Sequence, residues 1–60
     1  MKSADLIRAM KAHGWRLDRV RGSHHVYKHS QHPHIITVQH PRKDLGPGLV
    51  NSLMKLAGLK

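Results

Sequence analysis

Apolar side chains recur along this chain with two different periods, and the change of period divides it into elements. In "SADLIRAMKAH", residues 3–13, Leu6, Ile7 and Met10 fall three and four apart on one helix face, with Arg8 and Lys11 turned elsewhere. Ser3 is the expected N-cap, Asp5 complements the positive end of the helix dipole, and Gly14 is the expected stop. From Trp15 the period drops to two. "WRLDRVR", residues 15–21, reads as a strand with Trp15, Leu17 and Arg19 on one face and Arg16, Asp18 and Val20 on the other. Its alternation is imperfect, and Val20 marks the expected bulge or bend.

Gly22-Ser23 is short enough to turn a hairpin into "HHVYKH", a second strand carrying Val26 and Tyr27. "SQHPH", residues 30–34, reads as a connection because Pro33 cannot donate to a ladder. "IITVQ", residues 35–39, is β-branched at four of five positions and reads as a third strand. A loop with two prolines and two glycines, "HPRKDLGPG", leads to a second helix in "LVNSLMKLAG". Pro47 suits that helix's first turn, Leu49, Leu53 and Leu56 form its stripe, widened by Val50 and Ala57, and Gly58 ends it. The order is αβββα: an α+β class fold, a three-stranded antiparallel sheet with two flanking helices, as one domain over residues 1–60. There is no internal repeat, linker or low-complexity tract.

Length sharpens this picture. A domain of 60 residues buries only about 60% of the surface its unfolded chain exposes. Such a core is thin, and a partner chain or self-association would add stability. With no cysteine, disulfide frameworks and thiolate zinc sites are excluded. No apolar run approaches the roughly 20 residues that cross a bilayer, and the N-terminus lacks the apolar stretch of a signal peptide. These features predict a soluble, cytoplasmic chain.

Charge changes the picture most. Eleven Lys and Arg face three Asp and no Glu, a formal net charge of +8 with histidines neutral. The partners this favours are polyanions. A membrane-surface role would gather the cations on one amphipathic helix, whereas here they are spread over every segment. Nucleic acid is therefore the expected partner, with no membrane.

Three blocks of the chain carry a resemblance to a known family: "GWRLDRVRGSHHVYKH", "VQHPRKDLGPG" and "LAGL". The αβββα order resembles the double-stranded-RNA-binding fold, and the three blocks in register resemble the HicA family of toxin ribonucleases over essentially the whole chain. The hallmark is a Gly-Ser or Gly-His step followed by an apolar residue and an aromatic, matched by Gly22-Ser23-His24 with Val26 and Tyr27. The resemblance implies an mRNA-cleaving endoribonuclease toxin of a type II toxin–antitoxin system, held inactive by a HicB-type antitoxin that covers the His24 face. DNA would be met only indirectly, through the antitoxin complex. The resemblance also puts the family's catalytic histidine on His24, with His25 as second choice.

That chemistry suits an imidazole. RNA carries its own nucleophile, and a base of ordinary pKa near 6.5 can take the ribose 2′-OH proton near neutral pH. One placed base contributes roughly 10²–10⁴-fold, and no metal or cofactor is required. Gly22 and Ser23 are small enough to let a phosphodiester approach. Lys28 shares His24's strand face, and Arg19, Arg21, Arg42 and Lys43 are the expected phosphate contacts. His25, a lysine or solvent could each serve as general acid. His13, His29, His32, His34 and His40 read as surface or loop positions.

Other readings of the same residues stand beside these. His25 and His29 bracket Tyr27 on one face, which suits a metal poorly without Cys or Glu. Ser23 reads as a backbone hydrogen-bonder rather than a nucleophile, and Trp15 as core rather than a base-stacking platform. Tyr27 is balanced between the two. The alternatives to the ribonuclease are a non-catalytic RNA-binding module of the same fold and an interaction subunit for an acidic protein.

Overall fold

The computed structural model describes residues 1–60 as two helices packed on one side of an antiparallel sheet, 28 × 26 × 17 Å overall. Helix α1 spans Ser3–Ala12, strands β1, β2 and β3 span Arg16–Arg21, His24–His29 and His32–Gln39, and α2 spans Pro47–Leu56. The strands lie in the order β1-β2-β3, so the class, element order and meander are those the residues predict. No helix is long and apolar enough to cross a membrane.

Burial concentrates between sheet and helices. Leu6, Ile7 and Met10 of α1 meet Tyr27, Ile36 and Val38 of the sheet, with Trp15 and Ala57 closing one end and Leu45 the other. Trp15 is 2% exposed, and its indole N–H donates to the Ala57 carbonyl at 3.0 Å, tying the start of the sheet to the end of α2. That bond decides which side of α2 faces inward. Val50, Leu53, Met54 and Ala57 pack on the core, whereas Leu49 and Leu56, expected in the stripe, are each 50% exposed. Two stripes overlap on this helix, and only the one ending in small Ala57 fits under the indole.

Three local readings change. Ser3 is not a cap: Lys2 holds that position without a side-chain bond, and Ser3 begins the helix. Its buried hydroxyl instead accepts the Arg42 backbone N–H at 2.8 Å and lies 2.8 Å from His40 Nδ1, pinning the loop after β3 to α1. Strand β3 begins at His32 rather than residue 35, because it is an outer strand and an edge tolerates Pro33. The irregularity in β1 falls at Asp18, not Val20: Leu17 pairs with Tyr27 and Arg19 with Val26, leaving Asp18 as the extra residue.

Glycine is demanded at two turns. Gly14 has φ +93°, and a Cβ there would lie 2.8 Å from the His29 ring. Gly22 has φ +58° at the first position of the two-residue β1–β2 turn, where a type II′ hairpin requires it.

Candidate nucleic-acid interface

Because successive strand residues face opposite ways, β2 divides its histidines between the two sides of the sheet. Tyr27 belongs to the core, so His25 and His29 also face the helices, while His24, Val26 and Lys28 face outward. Pairing extends this outward face. Arg21 stands opposite His24, Arg19 opposite Val26 and Arg16 opposite Lys28, and on the other flank Gln39 stands opposite His24 and Thr37 opposite Val26. The bulge at Asp18 resets the alternation of β1, so that Arg16, Arg19 and Arg21 share one face instead of being split across two. Leu17 and Val20 correspondingly share the helix-side face.

Around His24 the outward face is flat. None of the three surface hollows of the molecule is lined by His24, Arg19, Arg21 or Lys28, whereas Arg16, at the far end of the row, lines one with His13, Gly14 and His29. Small ligands are held in concave sites, so an open cationic sheet suits a polymer. Its charges are partly organised by one acid: Asp18 pairs with Arg19 at 3.1 Å and with Lys28 at 3.4 Å. The Arg19 hydrogen bond, followed by Lys28, holds the Asp18 carboxyl below its ordinary pKa. Arg16 and Arg21 have no ion-pair partner.

His24 is exposed, and of the seven histidines it alone makes neither a side-chain hydrogen bond nor a ring contact. The others are engaged. The His25 ring meets the His40 ring edge-on at 4.9 Å, on the helix side. His29, His32 and His34 surround Trp15 with centroids 5.1–5.7 Å from it. His29 donates from Nε2 to the His13 carbonyl at 2.7 Å and accepts the Gln31 N–H on Nδ1 at 3.0 Å, which fixes a neutral tautomer. His34 donates to the Leu56 carbonyl at 2.8 Å. His29, His32, His34 and His40, expected at surface or loop positions, are thus half-buried parts of the packing. His13 is exposed and bonds back to Ala9 of its own helix.

The remaining site candidates separate. Gly22 has open space where a Cβ would stand, and Ser23 offers its carbonyl to the His40 N–H at 2.8 Å, a backbone role. Arg42 donates to Gln39 Oε1 at 2.6 Å and so joins the His24 row, although it lies far along the chain. Lys43 does not reach that row; it lines, with Lys2, His40 and Arg42 itself, a hollow of about 330 Å³ at the start of α1. Tyr27 is 2% exposed, and burial pushes its phenol pKa up. It therefore packs in the core, and with Trp15 also buried the outward face has no aromatic platform. Sequence reasoning missed Arg16 and Gln39. The signal for Arg16 was the misfit in alternation, which could not be placed without knowing the partner strand.

Two comparisons with known proteins point to the same family. The model of the HicA toxin family, the HicA toxin of bacterial toxin–antitoxin, matches residues 3–59. Among solved structures the fold is similar to a chain of the HicA3 and HicB3 toxin–antitoxin complex. That chain is 34% identical, with a TM-score of 0.85 over 97% of this chain and 94% of the other. No curated protein sequence matches the chain. With its αβββα order, its match from the first helix to the penultimate residue and a likeness at this identity, the chain belongs to the HicA toxin family of bacterial toxin–antitoxin systems.

Proposed function

We propose that this chain is a metal-independent endoribonuclease that cleaves mRNA in the cytoplasm, with His24 as its acid/base residue. The observation that carries the reading is the state of His24. It is exposed on a cationic sheet face and, unlike the other six histidines, is committed to no bond or ring within the fold. His25 is the weaker candidate because its ring lies on the other side of the sheet against His40.

In the proposed reaction, neutral His24 removes the proton of a ribose 2′-OH. The 2′-oxygen attacks the adjacent phosphorus, the bond from phosphorus to the 5′-oxygen breaks, and the 5′-oxygen takes a proton from water. The products are a 2′,3′-cyclic phosphate and a free 5′-OH, and the proton on His24 is lost to solvent. Charge building on the phosphoryl oxygens is met by Arg21, opposite His24, and by Arg42, held through Gln39 on the other flank. Because the substrate brings its own nucleophile, this scheme needs no ion.

The partner that suits this family membership is a HicB-type antitoxin bound over the His24 face, so that antitoxin and RNA exclude each other. The complex found for the similar chain supports such a partner. The test is turnover. Purified protein should degrade mRNA in EDTA, stop when the antitoxin is added, and lose cleavage with RNA affinity retained in His24→Ala. Equal cleavage by the wild type and His24→Ala removes His24 from the mechanism. RNA that is bound but never cut makes the chain a binding module.

A further inference from the structure

The reading above assigns one phosphate, the one beside His24, and leaves the rest of the cationic face without a task. Strand β1 fills that gap. Its bulge places Arg21, Arg19 and Arg16 side by side with His24, Val26 and Lys28, so the arginines repeat at every second residue of β2. Alternate residues of a strand are about 6.8 Å apart, close to the separation of successive phosphates in an extended nucleic-acid strand. Paired side chains on adjacent strands have Cβ atoms about 4.5–5.5 Å apart, which sets Arg21 beside the imidazole.

We propose that β1 is a phosphate track for an extended single strand of RNA: Arg21, Arg19 and Arg16 take three successive phosphates, the scissile one lying between Arg21 and His24. The inference rests on the ribonuclease reading for the position of the scissile phosphate and adds the path, the footprint and a role for Arg16.

Three features favour an extended single strand over a duplex or an acidic protein. The cations form a straight row, flat at Arg21 and Arg19 and reaching the rim of a hollow at Arg16, where a duplex would present its phosphates along a curved groove. In-line attack by a 2′-oxygen needs a backbone free to leave A-form geometry, which an extended strand allows. The floor of the track, exposed Thr37 beside a Val26 that is only 8% exposed, has no aromatic ring and few fixed donors or acceptors. It gives a strand little by which its bases could be read. Within the track the three sites differ. Arg19 already shares Asp18 with Lys28, whereas Arg16 and Arg21 have no ion-pair partner and give their full charge to a phosphate.

The path can be separated from a route across the sheet. Arg16 lies four β2 residues from the His24 position, about 13 Å along the strand, while Arg42 lies on the opposite flank beyond Gln39. The measurement is binding of 2′-O-methyl RNA oligonucleotides, which cannot be cleaved, at two to eight nucleotides, single-stranded and as blunt duplexes, over a range of salt. Affinity should rise until three phosphates are spanned. Each phosphate neutralised on a single strand contributes roughly 0.7 to the log–log salt slope. Arg16→Gln should therefore reduce the slope by about 0.7 for long oligonucleotides and leave a dinucleotide unaffected. Arg19→Gln should reduce it by less, and Arg16→Lys should restore it.

An unchanged slope in Arg16→Gln, or a duplex bound as tightly as a single strand, overturns the track. So does a result in which the arginine substitutions weaken only an acidic protein's binding. If Arg16→Gln is silent while His24-dependent cleavage persists, the track is wrong and the ribonuclease reading stands. If the slopes fall as expected but the wild type never cuts, the track stands and the ribonuclease reading falls. Circular dichroism of each variant checks that the exposed substitutions leave the fold intact.

Discussion

On strand β2 the side chains of His25, Tyr27 and His29 point at the helices and those of His24, Val26 and Lys28 at the opposite face, where His24 and Lys28 are exposed and Val26 is only 8% exposed. The helix-side residues are held by neighbours: His25 by the His40 ring, Tyr27 by the core, His29 by two hydrogen bonds and the Trp15 indole. Of the outward residues, His24 is held by nothing and Lys28 only by an exposed ion pair with Asp18. The difference teaches that histidine content alone says little about chemistry here. Five of the seven imidazoles pack against other rings on the helix side of the sheet, filling space beside Trp15 or Ser3 that a small core leaves over. One strand supplies both kinds because its period is two.

The largest effect that would test this contrast belongs to the helix side. Trp15→Ala should cost about 3–5 kcal/mol, and a domain this small has a core worth little more than about 3–5 kcal/mol. The variant should be unfolded at room temperature by circular dichroism, despite touching none of the outward residues. A cooperative melt retained in Trp15→Ala would show that the histidine cluster and α2 do not depend on the indole.

Next comes the exchange between neighbours. His24→Ala should lower RNA cleavage by roughly 10²–10⁴-fold and leave stability within about 0.5 kcal/mol. His25→Ala should do the reverse, keeping most of the cleavage while losing about 1 kcal/mol from the ring contact with His40. Cleavage by both variants and thermal melts of both decide it. If His25→Ala abolishes cleavage without changing the melt, the assignment of faces to roles is inverted.

How far the residues alone disclose this division depends on where the information lies. The helices, the Gly22-Ser23 turn and the strand face that His24 shares with Lys28 follow from short-range periodicity, and the structure has each of them. What did not follow needs a second segment. Asp18 is recognisable as the bulge only once Leu17 and Arg19 are set against Tyr27 and Val26, and without it Arg16 appears to face away from Arg19. Ser3 has the chemistry of a cap, but the loop at 40–42 offers its hydroxyl stronger partners, which no local rule anticipates. Arg42 reaches the His24 row through Gln39, a contact set by the loop's return.

Ser3 supplies the third test. Ser3→Ala leaves the Arg42 N–H without the hydroxyl that accepts it and His40 Nδ1 without its partner. A buried group stranded in this way costs about 1–3 kcal/mol. The loss should appear in the denaturant midpoint, with a smaller fall in cleavage because Arg42 is less well placed. An unchanged midpoint would mean that the Ser3 N–H bond to the Arg42 carbonyl holds the loop by itself.

The smallest effects come from pH, and the two faces set opposite limits. Burial raises the Tyr27 phenol above its ordinary pKa, so the folded chain keeps this proton at pH values where the unfolded chain loses it. Stability from this group is present below about pH 10 and falls as pH rises from there through the raised value, because only the unfolded state gains by ionising. Asp18, at the surface beside two cations, is shifted the other way by Arg19 and Lys28. Its contribution is present above about pH 4 and is lost as pH falls through the lowered value, since protonation then favours the unfolded chain. Tyr27→Phe should therefore flatten the alkaline limb of a plot of melting midpoint against pH, and Asp18→Asn the acid limb. The acid-side change should shrink in high salt because the ion pairs lie in water, whereas the alkaline change should persist because it comes from desolvation. A salt-sensitive alkaline limb would place the Tyr27 hydroxyl in solvent and undo the separation of faces at its central residue.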